Sequence, residues 1–145
     1  MKKQISRALL GLVAVLTLAG AASAQTSGGI KVHVPFDFVA GGKQLPAGEY
    51  DVRRVKADSE SAIVIRGVAK GATAVILTNA GGDRPAAAAL DFRQRGGRYF
   101  LAAVSMPGAA SVREAQRSKA GRELIGQAEA GAGDAKRVTV LGDAR

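Results

Sequence analysis

The sequence has no cysteine, a single histidine and few aromatic side chains, four phenylalanines and two tyrosines. Without cysteine there are no disulfides, no thiolate metal ligands and no attachment point for a lipoprotein's diacylglyceryl group. An exported form must therefore be held by its core alone. His33 as the lone histidine excludes zinc sites built from several imidazoles and allows at most one Ser-His-Asp arrangement. No G-x-S-x-G turn accompanies it, so His33 is expected on a solvated strand face. After the amino-terminal region, no stretch is apolar enough to cross a bilayer as a helix.

Other constellations are weak. The carboxylates Asp37, Glu49 and Asp51 could meet on neighbouring strands, the raw material of a glycosidase pair or a calcium ligand set, but no EF-hand loop is present. Outward charges on adjacent strands give the same picture without function. Arg95-Gly96-Gly97-Arg98-Tyr99-Phe100 has the composition of some RNA-binding segments, yet it also reads as a hairpin tip, and the aromatics are needed inside. Gly67 and Gly71 lack the Gly-Lys-Ser/Thr ending of a phosphate loop. The residues point to no catalytic group, no cofactor, no metal and no nucleic-acid partner.

What is present begins with export. Lys2, Lys3 and Arg7 precede an apolar run from Ala8 to Ala19, and Ala22-Ser23-Ala24 supplies small residues for signal peptidase. Residues 1–24 are expected to be a cleavable signal peptide, leaving 121 of the 145 residues as one β-rich domain over 25–145. Loss of those three cations lowers the formal charge from +9 to +6. The surplus leans towards the second half, where Arg113, Arg117, Lys119 and Arg122 could form a polyanion contact.

Strand patterning dominates the mature region. Ile30, Val32, Val34, Phe36 and Phe38 alternate with Lys31, His33, Pro35 and Asp37, and Pro35 requires an edge strand or a break in pairing. Turn residues at Gly41-Gly42 and Leu45-Pro46-Ala47-Gly48 lead to a second strand with Tyr50 and Val52 inward and a bulge near Arg53-Arg54-Val55. Residues 62–68 and 72–78 read as a strand pair, and 88–93 with 98–106 as a hairpin through Gly96-Gly97. Ser111-Val112-Arg113-Glu114 has the form of a capping box, predicting a helix over about 111–128, and Val138 and Val140 predict a closing strand over about 137–141. The fold class is mainly β: an antiparallel sandwich or a small, partly open barrel of about seven strands with one carboxyl-terminal helix.

Val34-Pro35-Phe36-Asp37-Phe38, the glycine turn and Leu45-Pro46-Ala47-Gly48-Glu49-Tyr50 resemble the opening of a set of small secreted proteins of acidobacteria. The Arg98-Tyr99-Phe100-Leu101 strand, the expected Arg113-Glu114 to Arg122-Glu123-Leu124 helix and the closing Val138-Thr139-Val140 strand extend the resemblance over nearly the whole mature chain. Asp51 stands where threonine is commoner in that set. The resemblance implies export and a β fold, and no catalytic residues. The expected function is a non-enzymatic binding or structural role in the periplasm or outside the cell, with anionic envelope polymers or polysaccharide as partners and no membrane-spanning segment. A lipocalin-like carrier of a small apolar ligand is the alternative, and an enzyme using the outward carboxylates ranks behind it.

Overall fold

A computed structural model describes residues 28–69, 71–129 and 135–144. The expected signal peptide lies outside these residues. Ten strands and one helix follow in order: β1 (Ile30–Val34), β2 (Phe38–Ala40), β3 (Lys43–Leu45), β4 (Gly48–Lys56), β5 (Ser59–Gly67), β6 (Thr73–Gly81), β7 (Ala89–Arg95), β8 (Arg98–Ser105), β9 (Val112–Ala115), α1 (Lys119–Glu129) and β10 (Lys136–Ala144).

Eight of the strands close a ring in the order β8-β7-β10-β1-β4-β5-β6-β9, with β9 returning to β8. Every pairing within the ring is antiparallel. Of the two architectures compatible with the sequence, the chain adopts the barrel, and it is closed rather than partly open. Closure leaves the ring's own strands paired on both sides along part of their length, which removes most of the exposed sheet edge.

Alternation sets which side chains fill the barrel. Ile30, Val32 and Val34 of β1, Tyr50 and Val52 of β4, Ile63 and Ile65 of β5, Ala74 and Ile76 of β6, and Leu90 and Phe92 of β7 are all buried in one core. Val138 and Val140 of β10 pack against it. Their neighbours on the opposite face, among them His33, Arg53 and Arg93, are exposed. The bulge expected in β4 is present as a register shift between Arg54 and Lys56. A second shift lies between Asp91 and Phe92 of β7.

Pro35 breaks pairing rather than marking an edge. β1 is an interior strand between β10 and β4, and the ladder stops at Val34. The chain then turns so that Phe38 pairs with Leu45 in a short β2–β3 hairpin, while β2 runs parallel to the start of β8. This hairpin fills the gap where β8 and β6 diverge, because β9 bridges them only near their far ends. Gly41 and Gly42, both at positive φ, make the turn. A Cβ on Gly41 would lie 2.7 Å from the Val75 carbonyl oxygen, and one on Gly42 2.7 Å from Ser118 Oγ, so the hairpin approaches β6 and α1 as closely as glycine permits.

The helix differs from the sequence expectation. Residues 112–115 form β9, and helix begins at Lys119 instead of near Ser111. The local pattern of a capping box is overridden by ladder pairing of the same four residues with both β6 and β8. Ser118 is the actual cap: its Oγ accepts the Gly121 N–H at 3.0 Å, and its carbonyl accepts the Arg122 N–H at 2.9 Å. Leu124, Ile125 and Ala128 then pack with Val39 and Phe100 on the outside of the barrel. The closing strand is longer than predicted, spanning Lys136–Ala144, and it joins β7 to β1.

One end of the barrel is closed by aromatic rings. Phe36 stacks on Tyr99 with centroids 3.8 Å apart and meets Phe92 edge-on at 5.2 Å, while Phe38 contacts both Tyr50 and Phe92. The Val34–Phe38 and Leu45–Tyr50 segments build this end. Asp37 Oδ1 accepts the Ala47 N–H at 2.8 Å, and the Tyr50 hydroxyl donates to the Pro46 carbonyl, tying the β1–β2 corner to the turn before β4. Burial, with the nearby Asp37 charge second, pushes the Tyr50 phenol above its ordinary pKa of 10.0.

Two outcomes follow from this packing. Phe38→Ala or Phe92→Ala should each cost about 3–5 kcal/mol in urea unfolding, whereas His33→Ala should cost no more than about 0.5 kcal/mol; equal midpoints for all three would contradict the facing of the strands. Tyr50→Phe should cost about 1 kcal/mol at neutral pH through the lost hydrogen bond. Because the folded chain holds the Tyr50 proton more tightly than the unfolded chain, the tyrosine's contribution is complete below pH 10 and falls as the pH rises above it. The gap between wild type and Tyr50→Phe should therefore narrow above pH 10, and a gap independent of pH would show that the phenol does not titrate with folding.

Candidate functional site

The ring places its charges unevenly. Of the four expected polyanion contacts, Arg113 is not on a helix and does not face solvent. It sits on β9 paired with Ala80 and Val104, only 9% exposed, and turns inward with the side chains of Thr78 and Val104. Its Nε donates to Thr78 Oγ1 at 3.4 Å and its Nη2 to the Thr78 carbonyl at 3.4 Å. Glu60 lies between Arg113 and Arg54, with each guanidinium 3.7 Å from one carboxylate oxygen. The end of the barrel opposite the aromatic rings is thus closed by a polar cluster. Arg113 belongs to this cluster, and it leaves the predicted contact surface.

Arg117, Lys119 and Arg122 are exposed at and before the start of α1. Arg122 Nη1 donates to the Arg117 carbonyl at 3.1 Å, which folds the two cationic segments together. Arg117 also lines a cleft that the sequence did not suggest. It runs over the outer face of β10, β7, β8 and β9 beside α1, with a volume of about 280 Å³. Arg93, Arg95, Arg117 and Arg137 line it, with Asp91 and Glu114 as its acids, and Ile125 of the helix forms part of its wall.

Register explains the gathering of cations. Arg93 and Arg137 occupy directly opposed positions on β7 and β10, and Arg95 opposes Arg98 across the hairpin. Like charges facing one another across a ladder are unfavourable unless a counter-charge is close. Arg137 has one: its Nη2 lies 2.9 Å from Asp91 Oδ2, while Thr139 donates its hydroxyl to the other Asp91 oxygen. That bond is the first cause of the raised Arg137 pKa, ahead of the Asp91 charge itself. Asp91 is buried, so its two oxygens are consumed holding β10 to β7. Arg93 stays exposed beside this satisfied pair, with its charge turned to the cleft.

The outward carboxylates do not converge. Asp37 accepts a backbone amide, Asp51 is bound to Arg53 at 2.7 Å, and Glu49 opposes His33 across the β1–β4 ladder. Among the described residues, no three histidine, cysteine or acidic side chains come together as a metal-binding group. The Arg95–Phe100 segment is a hairpin whose Gly96 and Gly97 take φ of +52° and +74°, as a tight two-residue turn needs. Tyr99 stacks on Phe36, and Phe100 packs with the apolar side chains of α1. No described helix is long and apolar enough to cross a membrane. No protein-family model, curated protein or solved structure matches the chain.

Sequence patterning could have located half of this cleft. Arg93, Arg95 and Arg98 are outward or turn positions of a recognisable hairpin, but the approach of Arg137 and Arg117 depends on β10 and β9 entering the ring from distant parts of the chain.

Proposed function

We propose that the chain is an exported, non-catalytic binding domain of the cell envelope or its surroundings, taking anionic polymer along the arginine-lined cleft and the adjoining start of α1. The observation that carries this reading is the cleft itself. Four arginines face it against two acids, and one of those acids is already occupied by Arg137 and Thr139. Guanidinium groups on separate strands, held by a rigid sheet, suit carboxylate, sulfate or phosphate groups repeated along a polymer. Export rests on the tripartite pattern of residues 1–24, and kinship with the small secreted proteins of acidobacteria rests on the Val34–Phe38 and Leu45–Tyr50 segments.

A lipocalin-like carrier shares the eight-stranded antiparallel barrel, an architecture able to hold one small ligand. Here the inward positions carry Tyr50, Phe38, Phe92, Ile63, Ile65 and Ile76, all buried at 2% exposure or less, and both barrel ends carry contacting side chains. That favours recognition on the outer surface over carriage inside. The carboxylate-dependent enzyme has the weakest support, since Asp37 and Asp51 are each engaged separately.

The test is retention of mature protein, beginning at Gln25, on a heparin-type resin. Exposed charges are screened beyond about 8 Å at physiological ionic strength, so wild type should elute early as salt rises. Replacement of Arg93, Arg117, Lys119 and Arg122 by alanine should move elution to lower salt, with circular dichroism confirming the fold. Retention that ignores both salt and these substitutions would remove polyanions as partners.

A further inference from the structure

On the opposite side of the ring from the arginine cleft, the rule of polar outward positions fails. The outer face of β1 carries Lys31 and His33, and that of β10 carries Arg137 and Thr139, with Leu141 at its end as a single apolar exception. The corresponding positions across β4, β5 and β6 form two apolar rows. Val64 stands between Arg53 and Val75 in one, and Ala62 lies opposite Leu77 in the next, while Val55 sits at the β4 bulge beside them. Val55, Val75 and Leu77 are 51%, 56% and 57% exposed. A solvated antiparallel face is expected to be polar at such positions.

Val55, Val64 and Val75 line an open groove of about 460 Å³ whose rim is cationic: Arg53, Arg54 and Arg66 line it with Asp51 as its acid. Asp51 is taken by Arg53, through Nη2 at 2.7 Å and Nε at 3.0 Å, and Arg54 leans towards Glu60. Arg66 is exposed. Long basic side chains of this kind lay their methylenes along apolar surface and hold the charge at its edge. Branched side chains at the centre of this outer face, with cations beside them, complement a surface that is apolar beneath and anionic at its rim.

We propose that the outer face of β4, β5 and β6 is a docking surface for an anionic phospholipid bilayer, with Val55, Val75 and Leu77 entering the headgroup–acyl boundary and Arg53 and Arg66 meeting lipid phosphates. Charge complementarity selects this occupant over a neutral membrane, because polybasic rims gain from a negative leaflet and lose that gain with salt. The site is centred on β5, four strands round the eight-strand ring from β7, so polymer and bilayer could be held together. It stands independently of the polymer reading.

Flotation of the mature protein with vesicles tests it, using phosphatidylcholine alone and phosphatidylcholine mixed with phosphatidylglycerol. Wild type should float with the mixed vesicles at low salt and stay behind with the neutral ones. Val75→Thr with Leu77→Thr, which keeps strand-forming shapes at exposed positions, should lower binding about tenfold or more, since two apolar contacts with the acyl boundary are removed. Arg66→Glu should do so too, and the alanine variant of Arg93, Arg117, Lys119 and Arg122 should float like wild type. Equal binding to both lipids, no binding, or loss only in that alanine variant would overturn the proposal. A concentration-dependent dimer in light scattering that Val75→Thr with Leu77→Thr dissolves would also overturn it, by assigning the face to a second copy of the chain.

Discussion

Phe92 is the contact on which the barrel depends. Its ring meets Phe36 and Phe38, and through them Tyr99 and Tyr50, so one side chain of β7 joins the β1–β2 corner, β4 and β8 into a single aromatic group. An eight-stranded ring encloses a space that side chains can just fill, and here they fill it with rings and branched aliphatics. With no cysteine to cross-link the chain, this filling is the main source of cohesion. The packed lumen is also what favours the proposed recognition on the outer surface.

The two ends of the ring are closed by different chemistry. At the Phe36 end the closure is apolar, anchored by the Asp37–Ala47 and Tyr50–Pro46 hydrogen bonds. At the other end Arg54, Glu60, Arg113 and Thr78 form a polar cluster with two cations to one anion. Arg54 Nε is buried there without a hydrogen-bond partner. A buried Arg113 tied to Thr78 is a means of fixing the register of β9 against β6, and that pairing is what completes the ring.

Much of this was legible in the residues. Strict alternation in Ile30–Val34 and Glu49–Val52 assigned the inward faces correctly, and Gly96-Gly97 located the hairpin turn. The bulge in β4 and the pairing break at Pro35 were also visible, since each follows from local stereochemistry. Ring closure was not. It depends on four residues, Val112–Ala115, whose local pattern matches a helix start, and their strand state is imposed by partners more than thirty positions upstream in β6. The same misreading placed Arg113 in solvent, and it hid the cleft, whose arginines come from β7, the β9–α1 link and β10. Local pattern reports faces and turns; it cannot report which distant strands become neighbours.

The central claim is that the barrel interior is solid and that ligands are met on its outer surface. Methyl-resolved NMR of the mature protein during titration with a long-chain fatty acid tests this most directly. The inward methyl groups of Ile63, Ile65, Ile76 and Val104 report on the lumen, and those of Val75 and Leu77 report on the outer face. The account predicts that the inward signals hold their positions throughout, with any shifts confined to the outer methyls. Saturable movement of the Ile65 and Ile76 signals would place the ligand inside the barrel and contradict the account.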